Sequence, residues 1–298
     1  MVPASMVVAF PGQGIQKPGM AAAIYGTPAW TFFEEASELL GYDLGRLCLE
    51  GPQESLDNTV RTQAAIFVTC WSLWELNKTR FQPKVFLGHS LGEIIALGAA
   101  GAFTFREGVQ VVKARGEAMS QVTTGGMAAI LGLDGETIQS LCAQVAPAGS
   151  VVVANWNSPG QTVVSGGFEA LKALTALALG RGAKRIVQLN VSGPFHSRLM
   201  EPAALQFSEV VRCLALSPCH TPVLSNDGKS ILERPEEIRH SLTRQITGPV
   251  HFKDQVQKLP QMGVGHFVEL SPASVLIPLA RRSEPNLQFT LVSDGGMV

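Results

Sequence analysis

Apolar positions along the chain follow two rhythms. Short continuous or alternating runs at residues 6–10, 83–87, 221–225 and 264–270 predict strands, while recurrences at three and four residues predict helices over 29–40, 62–76, 106–121, 201–214 and 235–245. Strands interleaved with helices predict an α/β fold in which helices pack on a central sheet. Between residues 125 and 192 the units shorten. The spacing there predicts strand 127–133, helix 136–145, strands 151–155 and 161–165, helix 168–179 and strand 184–191. Asn157-Ser158-Pro159-Gly160 supplies a hairpin turn between the middle strands. That βαββαβ order is the ferredoxin-like arrangement. The predicted organisation is a discontinuous large domain, 1–125 and 193–298, interrupted by a small subdomain at 126–192.

One pentapeptide, Gly88-His89-Ser90-Leu91-Gly92, falls between a predicted strand and a predicted helix rich in small residues. A G-x-S-x-G in that setting is a nucleophile elbow, which lifts a serine hydroxyl clear of the backbone near a helix N-terminus. A second turn, Pro11-Gly12-Gln13-Gly14, follows the first strand and can present backbone amides to a ligand. Composition narrows the classes around these turns. The 298 residues are 46% hydrophobic and 16% charged with a net charge of -1, which provides a large core and no basic field for nucleic acid or a membrane surface. Five scattered cysteines without C-x-x-C spacing suggest neither a disulfide framework nor a zinc site and fit the cytoplasm. The N-terminus lacks the positive region of a signal peptide, and no apolar run approaches the ~20 residues of a membrane span.

An elbow serine needs a base, and six histidines compete. His89 adjoins the nucleophile on a tight turn, so it points elsewhere and lines the pocket or supports it. His220, His240 and His251 fall at helix ends or in loops and read as surface residues. His266 opens a strand late in the chain, as an α/β-hydrolase order of Ser, Asp, His would have it. His196 lies where the small subdomain rejoins the large one, a place where clefts form. The spacing favours His196 without excluding His266. On the helix at 106–121, Val112, Arg115 and Met119 share one face, which sets a guanidinium among apolar neighbours. Such a cation is costly unless paired, and its planar fork suits a carboxylate.

Several motifs together carry a family resemblance across nearly the whole chain. They are Phe10-Pro11-Gly12-Gln13-Gly14, Gly88-His89-Ser90-Leu91-Gly92-Glu93, Arg115-Gly116 with Met119, Gly126-Met127-Ala128-Ala129, Asn157-Ser158-Pro159, Phe195-His196-Ser197, and Arg244-Gln245 before Pro249-Val250. In these the chain resembles malonyl-CoA:acyl carrier protein transacylases, and among them the discrete, trans-acting acyltransferases of polyketide synthases. The resemblance implies an α/β-hydrolase-like domain with a ferredoxin-like insertion. It implies Ser90 as nucleophile, His196 as base oriented by the main-chain carbonyl of Gln245, and oxyanion donors at the amides of Gln13 and Leu91. Arg115 would bind the malonyl carboxylate, with Met119, Phe195 and His89 lining the substrate pocket. Phe195 stands where malonyl-selective relatives carry a bulky residue. The implied substrates are malonyl-CoA and a phosphopantetheinylated acyl carrier protein, with no bound cofactor or metal and a monomeric enzyme. Ile15, Gly193-Pro194 and Ser271-Pro272-Ala273-Ser274 depart from the family pattern. A competing function is a proofreading acyl hydrolase, which would use Ser90 and His196 but has no need of Arg115.

Overall fold

A computed structural model describes residues 5–145 and 150–294. The termini included in 1–125 and 193–298, and residues 146–149 of the small subdomain, lie outside the described residues. The chain opens with strand β1 (Ser5–Phe10), then helices α1 (Thr31–Leu40), α2 (Leu44–Glu50), α3 (Gln53–Leu56) and α4 (Thr59–Asn77), strand β2 (Pro83–Gly88), and helices α5 (Leu91–Ala99) and α6 (Phe105–Ser120). Next come β3 (Gly125–Leu131), α7 (Gly135–Val145), β4 (Val151–Ser158), β5 (Gln161–Gly167), α8 (Phe168–Gly180) and β6 (Arg185–Gln188). The remainder is α9 (Glu201–Cys213), β7 (Val223–Leu224), β8 (Ile231–Leu232), α10 (Pro235–Arg244), α11 (Phe252–Lys258), β9 (Val264–Leu270), α12 (Leu276–Ser283) and β10 (Gln288–Val292).

Two sheets result. The larger runs β10-β9-β1-β2-β7-β8, parallel except for β8, and the smaller runs β4-β5-β3-β6, antiparallel throughout. Residue alternation gives each strand two faces. Val8, Phe10 and Phe86 pack into the main core with α4, α5 and α6, while Val7, Ala9, Val85 and Leu87 face α11 and α12. The small sheet behaves likewise. Ala128 and Ile130 face α7 and α8, and Met127 and Ala129 join the main core.

Most predicted elements form within a few residues of their expected ends. Strand 184–191 is cut to Arg185–Gln188, because the Leu189 amide bonds the Met127 carbonyl and Val191 turns back to Leu189. Strand 221–225 shrinks to Val223–Leu224. Two features place the chemistry. β1 and β2 pair in parallel with Phe10 opposite Gly88, so the turns after both strands leave the same sheet end, where α/β sheets bind ligands. β4 is an edge strand with a bulge at Ala154, and the segment ahead of α11 hydrogen-bonds to it there: Val250 donates to the Ala154 carbonyl and accepts from the Trp156 amide, both at 2.8 Å.

Candidate active site

β2 ends at Gly88 and α5 begins at Leu91, so the direction change falls on His89 and Ser90. Ser90 has φ 53° and ψ -111°. Close packing dictates the flanking glycines: a Cβ at Gly88 would lie 1.9 Å from the Gly92 carbonyl carbon, and one at Gly92 would lie 2.0 Å from the Phe10 oxygen. The elbow is pinned on both sides of the serine, since the Ser90 amide donates to Asn226 Oδ1 at 3.0 Å and Gln245 Nε2 donates to the Ser90 carbonyl at 3.2 Å. The turn after β1 lies against it, with the Gly12 Cα direction closing on the His89 carbonyl. Among the described residues, the amides of Gln13 and Leu91 meet no hydrogen-bond acceptor. Free donors beside a nucleophile are what a developing oxyanion requires.

Ser90 Oγ lies 2.8 Å from His196 Nε2, and His196 Nδ1 lies 2.9 Å from the Gly248 carbonyl. A carbonyl can only accept, so Nδ1 carries the proton and Nε2 is free to take one from the serine. The Gly248 carbonyl holds the ring, and the expected Gln245 carbonyl is a second, weaker acceptor beside it. His196 has φ 59°, and it and Ser90 are the only non-glycine residues at positive φ among those described. Backbone strain is therefore concentrated on the two residues that face each other. His266 is excluded as the partner. It pairs with Met6 at the opposite end of β1 from Phe10 and bonds Thr290 Oγ1 at 2.8 Å.

Burial, with the nearby Arg115 cation adding to it, pushes the His196 pKa down to about 3. The imidazole is thus neutral and ready to accept a proton across the ordinary pH range. The acid limb of kcat/KM is expected well below the ~6.5 of an ordinary histidine. Stability should carry the same signature. Below the unfolded pKa the unfolded chain takes a proton that folded His196 refuses, so stability falls as pH drops from about 6.5 towards about 3. Melting temperatures measured across that window should show a shallower fall in His196→Gln than in the parent chain. Parallel curves would contradict the assignment.

Arg115, on α6, is completely buried and has no ion pair among the described residues. Its surroundings are polar rather than the apolar set that the helix pattern implies. Nε donates to Gln245 Oε1 at 3.0 Å, Nη1 to Gln63 Oε1 at 2.8 Å, and Nη2 to Ser90 Oγ at 3.3 Å. Five N–H groups serve three acceptors, leaving two donors on the fork uncommitted beside the nucleophile. Burial lowers the Arg115 pKa to about 10, and the negative Glu93 nearby works against that shift. The guanidinium remains charged.

The other expected residues gather around this centre. Gln63 Nε2 reaches Met119 Sδ at 3.5 Å, and Phe195 is buried immediately before His196. His89 Nε2 bonds Asn157 Oδ1 at 2.8 Å, and burial lowers its pKa, so it is a neutral prop between the elbow and β4. Gly193 is required by packing, since a Cβ there would lie 2.3 Å from the Val122 oxygen, and Ile15 is buried in the main core. The turn at Ser271–Ser274 leads into α12, whose first amides the Glu269 carboxylate caps. His251, expected at the surface, is half-buried with its ring stacked on Trp156 at 5.9 Å. A cleft of about 530 Å³ is lined by Val153 and Trp156 of β4 on one side and by His196, Arg198 and Thr247 from the loops facing it on the other.

Gln63, Asn226 and Gly248 were not foreseen. A signal existed for Gln63 alone, an amide inside a helix otherwise buried nearly all round, where a polar group must find partners.

The description of the acyl transferase domain family matches residues 7–285. The chain is 38% identical over 292 residues to the malonyl CoA-acyl carrier protein transacylase of Bacillus subtilis, covering 96% of this chain and 92% of that protein. It is 38% identical over 280 residues to the polyketide biosynthesis malonyl CoA-acyl carrier protein transacylase PksC of the same species, covering 92% and 95%. Among solved structures, a malonyl-transacylase in complex with its type II PKS acyl-carrier protein superposes with a TM-score of 0.94 at 36% identity, covering 98% of this chain and 96% of that one.

Proposed function

Because the chain belongs to the acyl transferase domain family, we propose that it moves a malonyl group from malonyl-CoA to the phosphopantetheine thiol of an acyl carrier protein, in the manner of the relatives that bear that name. The observation that carries the substrate is the Arg115 fork, held in no ion pair among the described residues, with Nη2 3.3 Å from Ser90 Oγ. In a malonyl thioester one CH₂ separates the reacting carbonyl from the free carboxylate. A cation that touches the nucleophile is therefore at the right reach for malonyl, and too close for a longer diacid. Acetyl-CoA leaves the fork unpaired.

In this reading Ser90 Oγ attacks the thioester carbonyl as its proton passes to His196 Nε2, and the amides of Gln13 and Leu91 hold the oxyanion. The intermediate collapses with expulsion of the CoA sulfur, which takes the proton from His196 and leaves malonyl on Ser90. The carrier thiol then repeats the sequence in reverse, with His196 as its base, and the serine regains its proton. Met119 and Phe195 shape the pocket, and His89 holds the elbow through Asn157.

We also read the fold more finely, as an α/β-hydrolase-like domain at 1–125 and 193–298 with a ferredoxin-like subdomain at 126–192. Support comes from the small-sheet order β4-β5-β3-β6, which in local numbering is 2-3-1-4. Five unpaired cysteines support a cytoplasmic setting, and no helix among the described residues is long and apolar enough to cross a membrane.

The test is an acyl-CoA panel with one phosphopantetheinylated carrier, read by intact mass. Malonyl should appear first on this protein and then on the carrier, and Ser90→Ala should carry no label. Rapid hydrolysis of acetyl-carrier with no malonyl transfer would replace this reading with the proofreading hydrolase.

A further inference from the structure

Glu93 takes no part in the steps above, yet it is fully buried one turn below the nucleophile. Its Oε2 accepts from the Asn226 amide at 2.6 Å and from Asn226 Nδ2 at 2.5 Å. Its Oε1 accepts from Ser241 Oγ at 2.8 Å and from Gln245 Nε2 at 3.4 Å. Three of these four partners are N–H groups that can only donate, so the site is built for an acceptor-only carboxylate.

The two side-chain amides pass that requirement on. Each amide has one donating and one accepting end, and Glu93 draws the NH₂ end of both towards itself. The oxygen ends are thereby presented elsewhere: Asn226 Oδ1 to the Ser90 amide at 3.0 Å, and Gln245 Oε1 to Arg115 Nε at 3.0 Å. We propose that Glu93 is a positioning residue for acyl selectivity, which sets the Asn226 and Gln245 amides so that one pins the nucleophile and the other aims the Arg115 fork at the acyl carboxylate. The proposal rests on the reading of Arg115 as the malonyl receptor. It also accounts for the placement of charge. With Gln245 between them, Glu93 opposes the buried cation without occupying its fork, whereas a carboxylate in direct contact would fill the seat that malonyl needs.

Glu93→Gln keeps the shape and removes the charge. Its new NH₂ can be accepted only on the Ser241 side, where it faces Gln245 Nε2 donor to donor and no longer draws that amide's NH₂ end towards itself. Gln245→Met cuts the link to Arg115 and leaves both of Glu93's bonds to Asn226 in place. Steady-state kcat/KM is measured for malonyl-CoA and acetyl-CoA, with folding checked by melting temperature. In each variant the malonyl-to-acetyl ratio should fall by about tenfold or more, the effect of one misaligned charged hydrogen bond. If Glu93→Gln fails to fold, Gln245→Met decides. Equal losses on both substrates, or an unchanged ratio, in a folded variant would overturn the role of Glu93. A parent protein that prefers acetyl-CoA would instead overturn the reading of Arg115.

Discussion

Replacing His196 by alanine is expected to slow transfer of malonyl to Ser90 about a thousandfold, the usual size of a positioned general base. The change removes the acceptor 2.8 Å from Ser90 Oγ and leaves the hydroxyl with no base to take its proton. It does not remove everything that favours the alkoxide. Arg115 Nη2 still donates to the oxygen at 3.3 Å, and the elbow is still held by Asn226 and Gln245. Residual acylation should therefore exceed that of Ser90→Ala, which has no oxygen to acylate. Rapid-quench measurement of acyl-enzyme formation separates the three proteins. A loss below tenfold in His196→Ala would mean that another group takes the serine proton.

The second large effect is on choice of substrate. Arg115→Ala should lower kcat/KM for malonyl-CoA by about 3 kcal/mol, or roughly a hundredfold, because a desolvated carboxylate loses a charge-assisted, two-pronged partner. Acetyl-CoA has no carboxylate to strand, so its use should fall far less, by no more than the loss of the Nη2 contact to Ser90 Oγ. Arg115→Lys should resemble the alanine variant, since the three donors of an ammonium radiate from one atom and cannot match acceptors spread along the planar fork from Gln245 at Nε to Gln63 at Nη1 with a two-pronged carboxylate besides. Equal losses on malonyl-CoA and acetyl-CoA would make Arg115 a structural residue.

Legibility of the site depended on how local each constraint is. The elbow could be read because its requirements, a strand end, two glycines and a helix start, lie within a dozen consecutive residues. The His196 pairing spans 106 residues of chain and stayed open against His266 until the resemblance chose between them. Main-chain groups leave almost no trace. Any residue supplies a carbonyl, so nothing in the side chains at Gln245 and Gly248 tells which one faces the imidazole. Asn226 was invisible for a related reason: its role is set by Glu93 and Ser90, both more than a hundred residues earlier. In the fold, the long amphipathic helices and buried strands were clear, but α11, at seven residues, is too short for helical periodicity to register, and β10, an edge strand buried only at Val292, has no apolar run to mark it.

Val250 is stitched into the edge of β4, two residues beyond the carbonyl that holds His196. Swapping the small sheet for that of a relative, in the hope of transplanting preference for a carrier or acyl chain, is consequently not a neutral graft. If the donor strand lacked the Ala154 bulge, its edge would meet Val250 one position out of step, a displacement of about 3.3 Å. That slip would rotate the Gly248 carbonyl off the imidazole. A successful chimera must therefore bring 248–251 along with 125–188, although sixty residues of chain separate them.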